Sequence, residues 1–121
     1  ALEEIDSIRG KQIFSKLIMD GICLFDEFAS KLEEQYKSEL DAIGYYMEAV
    51  ANLQSLPDTK FRELKGGKGD VKSRHLRVYV MQQKGGKIIV IGGYKNNQSK
   101  DILSFRSIKK QFLDSFKDIK S

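Results

Sequence analysis

The first half of the chain changes from a strand-like to a helical pattern of hydrophobic residues. Residues 11–19 are rich in β-branched and large apolar side chains and end at the turn pair Asp20-Gly21, which predicts a short strand. Beyond this turn the apolar residues recur every three or four positions, which predicts an amphipathic helix. They are Phe25, Phe28, Leu32, Tyr36, Leu40, Ile43, Met47, Val50 and Leu53. Ser38 and Asp41 resemble a capping box, so the pattern leaves open one long helix or two helices that meet near residues 35–38.

The second half begins with an irregular segment and then alternates between apolar and polar positions. Pro57 ends the helical region, and residues 60–73 combine three glycines with five basic residues, which is typical of an irregular connection. From residue 75 to residue 81 the period is two, which predicts a strand with two different faces. One face carries Leu76, Val78 and Val80, and the other carries His75, Arg77, Tyr79 and Met81.

A hairpin and a final helix complete the predicted elements. The sequence Lys-Gly-Gly-Lys at 84–87 is typical of a hairpin turn, and the apolar run 88–91 fits a strand covered on both faces. Gly92-Gly93 allow either a close approach of the backbone to a neighbouring group or a bulge. The last apolar residues have helical spacing and are Ile102, Phe105, Ile108, Phe112, Phe116 and Ile119.

This order of elements predicts an α+β fold in a single domain that spans residues 1–121. We expect a small antiparallel β-sheet, with an N-terminal helical hairpin or long helix and a C-terminal helix packed on it. A chain of 121 residues that is 40% hydrophobic can bury a core of this kind. If the face with Leu76 lies under the helices, the face with Arg77 is expected to be open.

The composition makes several classes of protein improbable. No apolar run approaches the roughly 18–20 residues of a membrane-spanning helix, and the first residues do not resemble a signal peptide. Cys23 is the only cysteine and His75 the only histidine, so no internal disulfide forms and a zinc site of His and Cys lacks ligands. We therefore expect a cytoplasmic protein with no metal or other cofactor and no membrane partner.

The charge is distributed unevenly along the chain. Residues 1–58 contain 5 Lys/Arg and 12 Asp/Glu, a net charge of −7, whereas residues 59–121 contain 16 Lys/Arg and 5 Asp/Glu, a net charge of +11. A domain with one strongly basic side suits a polyanion such as nucleic acid, although solvated surface lysines explain the charge equally well.

Candidate chemistry is concentrated near the ends of the two predicted hairpin strands. The residues concerned are Lys72, Arg74, His75, Arg77, Tyr94, Lys95 and Lys100. A phosphodiester site needs cations for the phosphate, an aromatic ring for a base and a group that transfers a proton, a role that suits histidine. Structural alternatives remain, because Arg77 could pair with a carboxylate, His75 could make a structural contact, and Tyr94 could pack on the final helix at Phe105.

The segments that carry these residues resemble a known family. Glu-Leu-Lys-Gly at 63–66 leads to Val-Lys-Ser-Arg-His-Leu-Arg-Val-Tyr-Val at 71–80, and Gly-Lys-Ile-Ile-Val-Ile-Gly-Gly-Tyr-Lys follows at 86–95. In order and spacing these motifs resemble the RelE/ParE superfamily of toxins, most closely its HigB-like and phage-derived members. The segment from Gln98 to Ile102 is similar to the one that introduces the last helix of the family.

The resemblance implies a fold and three alternative functions. The fold is RelE-like, with an antiparallel sheet, an N-terminal helical pair and a C-terminal helix. The first function is the toxin of a bacterial type II toxin–antitoxin system, an endoribonuclease that cleaves messenger RNA on the ribosome and is silenced by a cognate antitoxin of helix-turn-helix type. The second is a non-catalytic toxin that inhibits DNA gyrase, as the ParE branch implies, or binds another protein target. The third is an inactive relative that only binds a partner.

The resemblance also implies roles for single residues. Arg77 matches the arginine of the family's central strand, and Lys72 and Arg74 match the basic residues just upstream. Lys95 matches the basic residue that closes the last strand. Together with the residue chemistry, this gives Arg77, Lys95 and His75 as candidate catalytic residues and Lys72, Arg74, Tyr94 and Lys100 as candidate RNA-binding residues.

Overall fold

Within the described part of the chain, six strands form one sheet with helices on both faces. The computed structural model describes residues 2–8, 10–64 and 67–120, with all their side chains except those of Leu64 and residues 115–120. The helices are α1 (Leu24–Lys31), α2 (Lys37–Ala51) and α3 (Gln98–Lys120), with 3₁₀ turns at Glu34–Tyr36 and Lys95–Asn97. The strands are β1 (Leu2–Glu4), β2 (Ile13–Leu17), β3 (Phe61–Leu64), β4 (Lys68–Lys72), β5 (Leu76–Gln83) and β6 (Gly86–Tyr94). The predicted α+β class is confirmed.

The sheet is mixed rather than purely antiparallel. Its strand order is β1-β2-β6-β5-β4-β3, in which β2 and β6 are parallel and all other neighbours are antiparallel. The prediction of an antiparallel sheet is therefore wrong at the β2–β6 pair. The connection through α1 and α2 explains the difference, because it carries the chain past the position of β6, and the later hairpins return to it in the direction of β2.

Both faces of the sheet are covered. The face under α1 and α2, which we call the helical-pair face, buries a core that contains Phe14, Leu32, Ile43, Met47, Val50, Ala51, Val71, Leu76, Val78, Val80 and Ile89. The opposite face, which we call the α3 face, buries Leu17, Tyr79, Met81, Ile88, Val90 and Phe105. This explains the uninterrupted apolar run of β6, but the prediction of an open face that carries Arg77 is wrong, because α3 packs on it.

The helical region consists of two helices. α1 ends at Lys31, and the extended backbone of Leu32 and Glu33 (ψ 133° and 144°) separates it from the 3₁₀ turn before α2. α2 begins after Tyr36 and has no hydrogen bond from a side-chain cap. The break therefore lies upstream of Ser38 and Asp41, and the residues that resembled a capping box do not form one.

Residues 60–73, predicted to be irregular, contain the strands β3 and β4. Phe61 is opposite Val71 in their antiparallel register, and Val71 is fully buried. β4 in turn pairs with β5 along its whole length. Pairing within a larger sheet supplies the hydrogen bonds that local sequence with several glycines does not favour by itself. Lys65 and Gly66, between the two strands, lie outside the described residues.

The two glycines near the end of β6 allow close packing on both faces. A Cβ at Gly92 would overlap the ring of Phe28 from α1, and a Cβ at Gly93 would overlap the carboxyl group of Asp101 from α3. The predicted close approach of the backbone is confirmed. These contacts bring the helical pair and the start of α3 tightly against the same end of the sheet.

Candidate functional site

The predicted site residues lie at one end of the sheet, where β4 ends, β5 begins and β6 ends. The registers of β4 with β5 and of β5 with β6 align these three ends. The backbone N–H of Lys95 donates to the carbonyl oxygen of His75 at 2.8 Å and closes this end. We call residues 72–77 and 93–95 the site end of the sheet. The side chains of the site end divide between the two faces, and each face has its own polar network.

On the helical-pair face, His75 is held by a carboxylate of α2. Its Nδ1 lies 2.7 Å from Oε2 of Glu39, and its backbone N–H donates to Oε1 of the same carboxylate at 2.9 Å. The hydroxyl of Ser73 also donates to Oε1, at 2.6 Å. The His75 side chain remains 45% exposed. A carboxylate at Nδ1 favours the ring form that carries its proton there, which leaves Nε2 as a proton acceptor.

Hydrogen bonds keep the Glu39 carboxyl group ionised. Partial burial by itself raises the pKa of Glu39, but the hydrogen bonds from Ser73 and His75 outweigh this effect and hold the pKa below its usual range. The same Ser73 hydroxyl accepts the backbone N–H of Leu76 at 3.3 Å. The turn between β4 and β5 is thus fixed to α2 through one carboxylate.

An aromatic cluster surrounds the histidine. The Tyr36 ring lies 5.2 Å from the His75 ring and 5.6 Å from the Tyr94 ring, measured between centroids. Tyr94 also packs edge to face against Phe28 at 5.6 Å. Tyr94 therefore packs on the helical pair, and its predicted packing on the final helix at Phe105 is wrong. Tyr36, half-buried beside the exposed His75, is the ring that a ligand at this histidine would meet.

Arg77 lies on the opposite face from His75. It shares the α3 face with Tyr79, whereas His75, which precedes β5, turns towards α2. The prediction that the two residues share one face is wrong, because the strict alternation of β5 begins only at Leu76. A single ligand group therefore does not meet both side chains on one face of the sheet.

Arg77 is buried and stabilises the β4–β5 turn by hydrogen bonds to its backbone. The residue is 7% exposed, and its Nη1 donates to the carbonyl oxygens of Ser73 at 2.6 Å and Leu76 at 2.8 Å. Arg77 forms no ion pair with a carboxylate among the described residues, so the predicted alternative of such a pair is not observed there. The guanidinium instead holds the turn that carries Ser73 and His75.

A charged cluster adjoins Arg77 on the α3 face. The fully buried carboxyl group of Asp70 accepts a hydrogen bond from Nη2 of Arg62 at 2.9 Å and lies 4.0 Å from Nζ of Lys72. Burial lowers the pKa of Lys72, and nearby Asp70 acts in the opposite direction. The Lys72 side chain is 13% exposed, so only a small part of it can contact RNA from solvent.

The start of α3 adds a second buried carboxyl group to this face. Burial raises the pKa of Asp101, which Lys100 opposes, and burial also raises the pKa of Tyr79 strongly, with Asp101 and Asp70 contributing. Among the described residues, several buried polar atoms of this face lack a hydrogen-bond partner. They are Nε of Arg62, Oδ1 of Asp70, Nε of Arg77, the hydroxyl of Tyr79 and Oδ2 of Asp101.

The exposed cations of the site end are Arg74 and Lys95, with Lys100 one turn into α3. Arg74 directly precedes His75, and Lys95 is joined to the His75 carbonyl through its backbone. Of the seven predicted site residues, His75, Arg74 and Lys95 are therefore exposed together. Arg77 is buried and Lys72 is half-buried on the α3 face, and Tyr94 belongs to the aromatic cluster.

Glu39 and Tyr36 are candidate site residues that sequence reasoning missed. Glu39 belongs to the acidic half of the chain, where nothing in the sequence distinguishes it from the other carboxylates, and it is 36 positions away from His75. Tyr36 was assigned to the apolar stripe of the helical region. The one available signal is that they are three positions apart and so lie on one side of the helical segment.

Comparison with protein-family models, curated proteins and solved structures finds no significant match to this chain. In the part of the chain that the structure describes, no group of three or more His, Cys, Asp and Glu side chains is placed to hold a metal ion. No helix among those residues is long and apolar enough to cross a membrane. The chemistry of the candidate site therefore has to be argued from its own side chains.

Proposed function

We propose that this protein is the toxin of a bacterial type II toxin–antitoxin pair, with a RelE-like fold, and that it cleaves messenger RNA on the ribosome. The helical pair in the first half, the antiparallel strands β3 to β6 and the last helix agree with the elements that the resemblance to the RelE/ParE superfamily implies, whereas the parallel pair of β2 and β6 departs from them. Because one fold hosts different activities, the function has to rest on the site.

The observation that carries the proposal is the exposed His75 ring with its Nδ1 held by Glu39. RNA is cleaved when a base removes the proton of a ribose 2′-hydroxyl and the oxygen attacks the adjacent phosphate. Nε2 of His75 is the nitrogen that can accept this proton when Nδ1 carries the ring proton. DNA lacks the 2′-hydroxyl, so a site of this chemistry is specific for RNA.

The remaining exposed groups of the site end fit the rest of the substrate. Arg74 and Lys95 are positioned to contact the phosphate and to stabilise the charge that develops on its oxygens. The Tyr36 ring beside His75 offers a surface on which a base can stack. We call the exposed residues Arg74 and Lys95 the basic strip, and Lys100 extends it along the start of α3. Arg77 lies on the α3 face and fixes the β4–β5 turn that carries His75.

The proposal is tested by incubating the purified protein with translating ribosomes and a short messenger RNA, and mapping the new ends. We expect cleavage by the wild type, and a decrease of roughly a hundredfold or more for His75→Gln with ribosome binding nearly unchanged. Lys84→Gln is the matched control, because Lys84 is exposed in the β5–β6 turn at the opposite end of the sheet. Intact RNA with the wild type, or full activity of His75→Gln, contradicts the proposal.

A ParE-like inhibitor of gyrase is the second candidate function. It is favoured by the burial of Arg77 and Lys72, two residues that the resemblance assigns to RNA but that are 7% and, for the side chain, 13% exposed. A supercoiling assay with purified gyrase separates the two functions. Inhibition of supercoiling together with intact RNA would replace the endoribonuclease with this alternative.

A further inference from the structure

The carboxylate of Glu39 has two oxygens with different partners. Oε1 accepts the backbone N–H of His75 at 2.9 Å and the hydroxyl of Ser73 at 2.6 Å. Oε2 lies 2.7 Å from Nδ1 of the His75 ring. A backbone N–H is a donor that cannot be turned into an acceptor, so Oε1 must remain an acceptor. The one adjustable contact is the one between Oε2 and the ring.

We propose that Glu39 is a positioning residue that fixes His75 in the Nδ1–H form, so that Nε2 is the general base of RNA cleavage. The inference rests on the proposed function and names the group that makes this histidine competent. An ionised carboxylate accepts but does not donate, so its contact with Nδ1 requires the proton to be on Nδ1. In the neutral ring the other nitrogen then carries no proton and can accept one.

The step that this arrangement supports balances without any further reactant. The 2′-hydroxyl proton moves to Nε2 of His75, the 2′-oxygen forms a bond to phosphorus, and the bond from phosphorus to the 5′-oxygen breaks. The departing 5′-oxygen takes a proton from water, and the hydroxide that this leaves takes the proton from Nε2, which regenerates the neutral ring and the water. The products are a 2′,3′-cyclic phosphate and a 5′-hydroxyl end. Glu39 stays ionised throughout and stabilises the imidazolium that forms.

Two further contacts hold the histidine in place. The buried guanidinium of Arg77 donates to the carbonyls of Ser73 and Leu76, and so fixes the turn from which the Ser73 hydroxyl reaches Glu39. The Tyr36 ring, 5.2 Å from the His75 ring, limits rotation of the imidazole. The backbone that carries His75 and the orientation of its imidazole ring are therefore both constrained before the contact with Glu39 is considered.

Glu39→Gln is a substitution with a specific expected effect. The amide oxygen must face the backbone N–H of His75, because an amide nitrogen there would oppose donor to donor. The amide nitrogen then faces Nδ1 and donates to it, which makes Nδ1 an acceptor and moves the ring proton to Nε2. The variant should therefore carry His75 in the opposite tautomer, with its base nitrogen blocked.

The tautomer is measured directly, because His75 is the only histidine of the chain. In ¹⁵N-histidine-labelled protein at a pH where the ring is neutral, NMR should show Nδ1–H in the wild type and Nε2–H in Glu39→Gln. The ribosome assay should show cleavage slowed by roughly 10²–10⁴-fold in this variant. Asp41→Asn removes an exposed carboxylate of the same helix and should change neither result.

Each outcome decides the inference. A wild type with the Nε2–H form refutes it even if Glu39→Gln fails to fold. A folded Glu39→Gln that cleaves at the wild-type rate, or a loss of equal size in Asp41→Asn, also refutes it. If the wild type has the Nδ1–H form but leaves RNA intact, the proposed function fails and the base role with it, while the tautomer contact between Glu39 and His75 stands.

Discussion

Replacing Arg77 by alanine tests whether this arginine braces the site end or holds a phosphate. Its Nη1 donates to two backbone carbonyls at 2.6 and 2.8 Å, and the residue is 7% exposed. A hydrogen bond from a charged group contributes about 1.5–3 kcal/mol to stability. Because both bonds come from one nitrogen, we expect Arg77→Ala to lower the free energy of unfolding by about 3 kcal/mol. For a chain of this size the melting temperature then falls by about 10 °C.

The assay is thermal and urea unfolding followed by circular dichroism, with cleavage measured on folded protein. Arg77→Lys should recover about half of the lost stability, because an ammonium group does not reproduce the planar geometry of the guanidinium. Arg106→Ala is the control, since Arg106 is exposed on α3, and should change stability by less than about 0.5 kcal/mol.

The two roles of Arg77 predict different combinations of results. If Arg77 stabilises the turn, the unfolding free energy and the cleavage rate should both fall in Arg77→Ala, and Arg77→Lys should restore part of both. A phosphate contact predicts a protein that melts like the wild type but does not cleave RNA. The second combination would refute the reasoning from burial and return Arg77 to the catalytic role that the sequence suggested.

Three further predictions concern pH, salt and packing. Because the pKa of Glu39 is lowered in the folded protein, its stabilising effect exists above the pKa of the unfolded chain and is lost as pH falls through the folded value. Urea midpoints of wild type and Glu39→Gln should thus converge in acid, and a constant difference would contradict this. Lys95→Ala should reduce the slope of log RNA affinity against log salt concentration by about 1, whereas Lys84→Ala should leave the slope of the wild type unchanged. Equal slopes for Lys95→Ala and the wild type would exclude a phosphate contact of Lys95. Gly92→Ala should lower the free energy of unfolding by about 1–3 kcal/mol, because the new Cβ would overlap the ring of Phe28 in α1. Gly44→Ala should not destabilise the protein, because a Cβ there meets open space. Equal melting temperatures of the two variants would contradict this.

The elements with a clear local period were predictable from the sequence. The alternation from Leu76 onwards gave β5, and the apolar run in β6 indicated coverage on both faces, as observed. The sequence also indicated that Gly92 and Gly93, near the end of β6, allow neighbouring groups to approach the backbone closely. The period of the apolar residues and the pair of glycines can both be read within a few positions of the sequence, so a local pattern is sufficient to predict them.

The arrangement of the site was not predictable in the same way. The position of β2 beside β6 and the packing of α3 on the second face depend on contacts between distant segments. The turn from β4 to β5 directs His75 to one face and Arg77 to the other, although alternation alone places them together. Glu39 meets His75 across 36 positions, and no local pattern marks that contact.

The divided site also changes the expected contact with an antitoxin. A toxin of the proposed kind must be silenced by a second protein. If all four basic residues Lys72, Arg74, Arg77 and Lys95 were exposed, they would together form the surface for an acidic segment of that protein. Of these, Arg74 and Lys95 are exposed, whereas on the α3 face Lys72 is half-buried and Arg77 is buried. The surface open to an acidic partner is therefore the strip beside His75, which is also the proposed RNA site.

Charge reversal at Arg74 tests this surface. Exposed charges at the rim of an interface mainly accelerate encounter, so Arg74→Glu should slow association with the cognate antitoxin by on the order of tenfold at low salt. The dissociation rate should change little, and the difference should shrink as salt rises. Lys72→Glu should instead destabilise the fold, because it brings a second carboxylate next to the buried Asp70. Stopped-flow kinetics at two salt concentrations measure the first effect, and urea unfolding measures the second. An unchanged association rate for Arg74→Glu, or simultaneous binding of RNA and antitoxin, would place the antitoxin on another surface.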